Sequence, residues 1–228
     1  LRVAAVTDRF VHVPKILYHW VAIPGSTAEV LSAKSYAVER QRKAIEETLA
    51  QQAATPFEVH PHWSTGNWRV VSAPPEQAPS VSVVIPTAGR KGEIFGMTVD
   101  LVTNCVMSLF GSECYGNFEV VVVHNGELED PTLRFLRSLP NVREFNAQRP
   151  VFNFSERVNI GVEQARGDYV LLLNDDIQAI SKHFLRDMVG LASQPGVGIV
   201  GPRLLFANGT IQHIGIMLLN GSPTHAMI

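Results

Sequence analysis

Cysteine is almost missing from this sequence. Cys105 and Cys114 are its only two in 228 residues. A chain of that length builds its core without covalent staples, so no disulfide framework is expected and a reducing compartment is favoured. Both thiols are expected to act as small apolar side chains. Long apolar runs are missing as well, because none approaches the roughly 18 to 20 residues that a membrane-spanning helix needs. The opening "LRVAAVTDRF" has neither the basic start nor the small-residue cleavage site of a signal peptide, and the expected location is the cytoplasm. Excess positive charge is equally absent. With 19 Lys and Arg against 21 Asp and Glu and no basic block, the footprint of a dedicated nucleic-acid binder is not there, nor is a basic membrane-surface helix. Anionic ligands must then be met by local arrangements. The text also starts at Leu1 rather than Met and stops at "PTHAMI" without a helix stop or polar tail, and so reads as a piece of a longer polypeptide.

What is present is globular in composition, 46% hydrophobic and 18% charged, enough for one large domain or one domain with additional pieces. Residues 1–33 hold a short alternating stretch, two prolines and an aromatic cluster, which do not make a complete structural unit. From Ala33 to Gln52, Val38, Ile45 and Leu49 share a face at helical spacing while Glu39, Arg42, Lys43, Glu46 and Glu47 lie largely elsewhere, which predicts an amphipathic surface helix. The following "AATPFEVHPHWSTGNWRVVSAPPEQAPS" is rich in Pro, Ser and Gly and reads as a linker with one short strand, Trp68 to Val71. Boundaries after residue 33 and near Ser80 divide the chain into 1–33, 34–80 and 81–228.

After Ser80 the pattern becomes regular. "VSVVIP" is a β-branched run stopped by Pro86, "MTVDLVTNCVMSLF" puts Val102, Cys105, Val106, Leu109 and Phe110 on one helical face, and "FEVVVV" is a second buried strand. "DPTLRFLRSL" predicts a helix with Asp130 as N-cap and Pro131 in its first position. "VREF" is a short strand, and "SERVNIGVEQA" a helix with Ser155 as N-cap and Val158, Val162 and Ala165 inward. "DYVLLLN" is expected as a central strand, "KHFLRDMVGLAS" as a helix and "VGIVGP" as a further strand; Asn208-Gly209 between apolar runs predicts a hairpin. Alternating strands and helices with nearly continuous apolar strands predict an α/β fold, a mostly parallel sheet flanked by helices and preceded by a helix and linker. No internal repeat is visible.

In an open α/β sheet, ligands bind beyond the carboxyl ends of the strands. Those ends are polar here: Pro86-Thr87-Ala88-Gly89-Arg90 after the first strand, His124-Asn125-Gly126 after the second, Asn174-Asp175-Asp176 after the fourth. Adjacent carboxylates on a tight turn repel each other, and a divalent cation, Mg²⁺ or Mn²⁺, or a ligand hydroxyl would stabilise them. Such hard cations take oxygen ligands and often bridge a carboxylate to a diphosphate. Turn-forming residues that merely end a strand are the competing reading.

Taken in order, "VSVVIPTAGR", "FEVVVVHNG", "FNFSERVNIGVEQARGDYVLLLNDD" and "VGIVGPRLLFANGTIQHIG" resemble the nucleotide-binding half of family-2 glycosyltransferases of the GT-A fold, from Val81 to the end. The resemblance implies that Asn174-Asp175-Asp176 stands where the family writes its "DxD"-type motif, with Asp176 as metal ligand and Asp175 facing the ribose or the sugar phosphate. It also implies that Pro86 and Thr87 shape the loop around base and ribose. Asn125 and Asn174 would line the same donor site, and Asn159 matches the "N-x-G" asparagine near the nucleotide. His124 departs from the family, which usually has an Asp there that hydrogen-bonds the base; a histidine can also donate to or accept from a base edge. Arg166-Gly167-Asp168 resembles the family's structural turn into the acidic strand, and "KGEIFGM" makes the first loop longer than usual, which predicts a mobile loop.

The opening "HVPKILYHWVAIPGSTA" resembles the tail of another such domain, with Val21 where Arg is typical, and so implies tandem domains. His19 is a candidate metal ligand of that preceding domain or a packed histidine between Tyr18 and Trp20. His60 and His62 are expected to be solvated. His213 and His225 fall in the stretch that borders the acceptor in relatives.

The activity so implied is inverting, divalent-cation-dependent transfer of a sugar from a nucleoside-diphosphate sugar to a hydroxyl of a saccharide or glycolipid acceptor. Polysaccharide or glycolipid synthesis, with peripheral association at the inner face of the cell membrane, is the family-level expectation. The family's catalytic base lies beyond Ile228, so none is assigned. The alternative is a non-catalytic nucleotide-sugar-binding module. A dinucleotide-dependent oxidoreductase would need G-x-G-x-x-G after the first strand, which "PTAGRKG" does not supply. A receiver-type domain resembles this chain less, because its acidic pair follows the first strand.

Overall fold

Valine and isoleucine runs buried on both faces form parallel strands most readily when helices cover each side. The computed structural model describes residues 3–4, 6–19, 21, 35–62, 67–94, 96–112, 115–149, 151, 153–219 and 221–225. In chain order the elements are α1 (Ser35–Gln52), β1 (Phe57–Pro61), β2 (Trp68–Ser72), β3 (Val81–Pro86), β4 (Lys91–Ile94), β5 (Met97–Asp100), α2 (Leu101–Ser112), β6 (Phe118–His124), α3 (Asp130–Ser138), β7 (Val142–Asn146), α4 (Phe154–Gln164), β8 (Tyr169–Leu172), α5 (Phe184–Ala192), β9 (Leu204–Leu205), β10 (Ile211–His213), β11 (Ile216–Leu219) and β12 (Ser222–His225). Two compact units contain them, one made of Leu1–Ala73 with Gly190–Ile228 and the other of Pro74–Val189; α5 runs across the division. No helix among the described residues is long and apolar enough to cross a membrane.

The second unit is built on a four-stranded sheet in the order β7-β6-β3-β8, and every pairing in it is parallel. Val83, Val84 and Ile85 of β3 and Val120 to Val123 of β6 are fully buried. One face packs on α2 through Val102, Cys105, Val106 and Leu109, with Leu136 of α3 and Leu185 and Val189 of α5. The other face, Val84, Val121 and Val123, is covered by α4. The sequence pattern therefore anticipates the architecture, except that β8 is an edge of the four strands rather than central. Its alternate residues Val170 and Leu172 are exposed, because α4 sits over β3 and β6.

Several local expectations are corrected. Helix α2 starts at Leu101, where the Asp100 carboxylate accepts from Thr103 N at 2.8 Å and stops the helix from extending back. Residues 91–94 and 97–100 pair antiparallel as β4 and β5, with Gly96 at φ +77°, so the long first loop carries a hairpin. Asp130 lies inside the first turn of α3 and Glu129 flanks it, an arrangement in which the carboxylate opposes the positive end of the helix dipole without capping it. Asn153, not Ser155, caps α4 by accepting from Glu156 N at 3.1 Å. The inward face of α4 is Arg157 and Gly161, with Val162 exposed. Counting apolar positions misplaced that face by one residue because a glycine and an arginine occupy its centre. A Cβ on Gly161 would meet Val84 Cγ1 at 2.3 Å, so glycine is what lets α4 approach the sheet.

In the first unit, β1 and β2 pair antiparallel, adding a strand where the sequence reads as linker; its bounding prolines obscured it. The Asn208-Gly209 turn joins β9 to β10 as expected, with Gly209 at φ +82°. β11 and β12 form another hairpin. Residues 197–202 form no strand, and Ile199 is 94% exposed. An apolar run broken by Gly198, Gly201 and Pro202 does not hold extended structure without a partner edge.

Candidate functional site

All four strands of the second unit's sheet run the same way, so the segments after β3, β6 and β8 emerge along one edge. Backbone bonds carry the ladder just past the strands: Thr87 N to Val123 O at 2.9 Å, Leu173 N to Val84 O at 3.0 Å and Ala147 N to His124 O at 2.7 Å. The eight residues singled out in the sequence (Pro86, Thr87, His124, Asn125, Asn159, Asn174, Asp175 and Asp176) all belong to this unit.

The two carboxylates of the acidic turn have different surroundings. Asp175 is buried, and its Oδ2 accepts a 2.6 Å hydrogen bond from the hydroxyl of Thr87, which is itself 1% exposed. Thr87 Oγ1 in turn accepts from Gly89 N at 3.1 Å. Asp176 is exposed, on a turn closed by Ile177 N to Asn174 O. Beneath it the buried Cys105 Sγ lies 3.6 Å from Asn174 O, and burial together with the charges of Asp175 and Asp176 pushes this thiol up to about 12. Both carboxylates therefore act on one electrostatic neighbourhood.

No cluster of three or more His, Cys, Asp or Glu with metal-holding geometry occurs among the described residues. The donor set at the acidic turn nevertheless fits a hard cation that takes most of its ligands from diphosphate and water. It consists of oxygens only, with Asp176 exposed and Asp175 anchored to Thr87.

Behind the second loop, His124 is 2% exposed. Its Nδ1 accepts from Gly126 N at 3.0 Å, so the ring proton sits on Nε2 and is donated to Glu144 Oε2 at 2.8 Å. Burial raises the Glu144 carboxyl, but the bonds from His124 and Arg137 outweigh it and hold the group below the usual range. The His124 ring thus supports the turn from behind, with both nitrogens engaged inside the protein. Asn125 N donates to Glu127 Oε2 at 2.5 Å, and Asn125 Oδ1 accepts from Arg149 N at 3.3 Å.

Arg157, on α4, joins the first two loops. Its guanidinium is almost wholly buried and donates both to the Thr87 carbonyl and to Glu127 Oε1. Burial raises the Glu127 carboxyl, yet the bonds from Asn125 N and Arg157 bring it below the ordinary value. The loops touch closely: Gly89 has φ +63°, and a Cβ there would stand 2.8 Å from Glu127 O. Arg157, Glu127 and Glu144 were not picked out from the sequence. A charge one turn ahead of Gly161 on the sheet-facing side of α4 was the available signal for Arg157.

Asn159, two residues further along α4, is exposed and lines a cleft of about 230 Å³ with Pro86, Ser155 and Asn174. Phe154, Val158, Leu172 and Leu173 supply its apolar walls. The structure thus brings Pro86, Asn159 and Asn174 to one cleft, joins Thr87 to Asp175, and sets His124 and Asn125 on the neighbouring loop.

Arg166-Gly167-Asp168 lies at the opposite, amino end of the strands. Asp168 Oδ2 accepts from Ser80 N and Ser80 Oγ, both at 2.8 Å, while Arg166 N and Gly167 N donate to Ser82 Oγ. The turn is structural, as expected. In the first unit, His60 is exposed and pairs with Glu58 at 2.8 Å, His62 and His19 are exposed, and His213 is half-buried in β10. The side chain of His225 and Cys114 lie outside the described residues.

The chain is 38% identical over 226 residues to the uncharacterized protein y4gI of Sinorhizobium fredii, covering 96% of this chain and 24% of that protein. It is 29% identical over 220 residues to the O-antigen biosynthesis protein RfbC of Myxococcus xanthus, covering 96% of this chain and 16% of that protein. The chain therefore spans a quarter or less of these relatives. Among solved structures, the mannosyltransferase PcManGT from Pyrobaculum calidifontis, in complex with GDP-Man and Mn²⁺, is 18% identical with a TM-score of 0.44, covering 72% of this chain and 43% of that one. The S. aureus TarS 1–349 structure is 24% identical with a TM-score of 0.41, covering 50% and 32%. The model of the family described as Glycosyl transferase family 2 matches residues 82–222, more than half of the chain and a stretch that includes all eight residues singled out above, and the chain belongs to that family.

Proposed function

We propose that the second unit is the nucleotide-sugar-binding part of a glycosyltransferase, which moves a sugar from a nucleoside-diphosphate donor to an acceptor hydroxyl. The observation that carries this reading is the split acidic turn: Asp175 is buried on Thr87 while its neighbour Asp176 stays exposed, next to a cleft lined by Asn159 and Asn174. In this reading Pro86, Ser155 and Asn159 receive the nucleoside, and Asn174 and Asp175 face the ribose or sugar phosphate. Asp176 would hold Mg²⁺ or Mn²⁺. When bound, such a cation offsets charge on the departing diphosphate, a contribution of several kcal/mol. The chain's own residues supply orientation: Thr87 fixes Asp175, and His124 holds the Gly126 amide and with it the turn that carries Asn125.

The transfer is proposed to invert the anomeric centre. The acceptor oxygen forms its bond to the anomeric carbon as the bond to the diphosphate oxygen breaks, and the hydroxyl proton goes to a general base. A saccharide or glycolipid acceptor agrees with the name of the Myxococcus xanthus relative, an O-antigen biosynthesis protein. The second reading, a nucleotide-sugar-binding module without turnover, draws on His124, whose nitrogens are both committed within the protein where the family usually offers a carboxylate to the base.

Calorimetric titration with UDP, GDP and dTDP, with and without Mn²⁺, tests the proposal. Micromolar to millimolar binding of one nucleotide that strengthens with Mn²⁺ is expected on ordinary affinity scales, and absence of binding by all three overturns the proposal. Hydrolysis or transfer of the matching nucleotide sugar would exclude the binding-only alternative.

A further inference from the structure

We infer that Arg157 is a positioning residue that sets the two nucleotide-facing loops in register with each other and with the acidic turn. The inference rests on the nucleotide-sugar site proposed above. A guanidinium that is 1% exposed stays charged at this depth only if fixed acceptors replace its water. Those acceptors are the Thr87 carbonyl after β3 and the Glu127 carboxylate after β6, two groups 40 positions apart in the chain. The planar fork of arginine can serve both directions at once, whereas a lysine ammonium is a point charge on a flexible stem.

The connections go on from each acceptor. Glu127 uses its second oxygen to hold Asn125 N, and Thr87 gives its hydroxyl to Asp175. One side chain of α4 therefore fixes the first loop, the second loop and, through Thr87, the acidic turn. The helix that supplies it also presents Asn159 to the cleft. Stability alone does not explain a charge at this point, since a buried ion pair can often be replaced by apolar packing without loss. Glu127, with its side chain 31% exposed, can turn to water when Arg157 is removed.

In Arg157→Met the thermal midpoint is expected to fall, because the buried Thr87 carbonyl loses its donor, with the protein still folded at the assay temperature. Positioning is therefore read from binding and exchange, which a merely structural loss in a folded protein would not move together. The affinity for UDP, GDP or dTDP in the presence of Mn²⁺, whichever the wild type binds, is expected to fall at least tenfold. Hydrogen exchange at the Gly89 and Asn125 amides, which are bonded to Thr87 Oγ1 and Glu127 Oε2, should speed up together. The double variant Arg157→Met, Glu127→Gln should bind no worse than Arg157→Met alone, because both changes break one connection. If Arg157→Met does not fold, Arg157→Lys replaces it, with lost protection expected at one or both amides and an intermediate affinity. Unchanged protection at both amides with affinity within twofold of the wild type overturns the inference, as do strictly additive losses in the double variant. Failure of the wild type to bind any of the three nucleotides instead overturns the nucleotide-site reading and with it the role of Arg157 toward a nucleotide, while the exchange measurement still decides whether Arg157 joins the loops.

Discussion

Replacing Thr87 by valine should be one of the most costly conservative changes in the second unit. The hydroxyl is 1% exposed, donates to Asp175 Oδ2 at 2.6 Å and accepts from Gly89 N at 3.1 Å. Valine fills nearly the same volume, so the loss is in hydrogen bonding rather than in a cavity. A bond to a carboxylate contributes about 1.5–3 kcal/mol and a neutral one about 1 kcal/mol, which puts the destabilisation at about 2.5–4 kcal/mol. Domains are stable by about 5–15 kcal/mol, so the variant should still fold. The assay must report on the right unit. Trp20, Trp63 and Trp68 all precede Pro74, and indole fluorescence would therefore follow the other unit. Native-state hydrogen exchange of the β3 and β6 amides measures the relevant free energy. Thr87→Ser, which keeps the hydroxyl, should lose less than the valine variant. A Thr87→Val effect below about 0.5 kcal/mol would refute the view that this hydroxyl holds a buried carboxylate, since one such bond alone contributes more.

Gly161→Ala drives a methyl to 2.3 Å from Val84 Cγ1. Overpacking of about 1–3 kcal/mol, partly offset by about 1 kcal/mol of helix propensity, should leave a net loss of stability measurable by the same exchange experiment. Glu119, Glu127 and Glu144 are all held below their ordinary value of 4.5, in each case because hydrogen bonds outweigh the opposing effect of burial. Groups depressed on folding stabilise above the unfolded value and lose that contribution as pH falls through the folded one. Stability should thus decline as pH falls from about 4.5, and thermal midpoints that stay level or rise on acidification would contradict this. Cys105, raised to about 12, should resist alkylation by iodoacetamide at pH 8 in a Cys114→Ser background and react once denatured; fast labelling of the native protein would contradict its burial.

Much of the fold was legible because it depends on side-chain patterns that act over a few residues. The valine runs of β3 and β6 could only be buried strands, and Val102, Cys105, Val106 and Leu109 marked the inward face of α2. Failures came where tertiary partners decide. The 197–202 run is as apolar as the true strands but lacks a partner edge among the described residues, and α4 turned a glycine and an arginine inward where valines were expected. Caps moved by one or two residues because Asp, Asn and Ser compete for the same amides, as at Asn153 against Ser155.

The site was legible in type and less so in arrangement. Polar residues after parallel strands indicated which edge to consider, and the acidic pair indicated hard-cation chemistry. The different surroundings of Asp175 and Asp176 depend on Thr87, which lies 88 positions away from Asp175, and no local pattern announces that pairing. Glu144 was hidden for the same reason, since its partner His124 is 20 positions away on a neighbouring strand.

The proposal as a whole turns on Asp176. Electron paramagnetic resonance of Mn²⁺, titrated into the protein with each of UDP, GDP and dTDP, counts bound cation directly. The expected result is one tightly bound Mn²⁺ per wild-type chain that requires the nucleotide, lost in Asp176→Ala while the exchange protection of β3 and β6 is unchanged. Equal Mn²⁺ binding by the wild type and Asp176→Ala, or none by either, would contradict the assignment of this turn as a cation and diphosphate site.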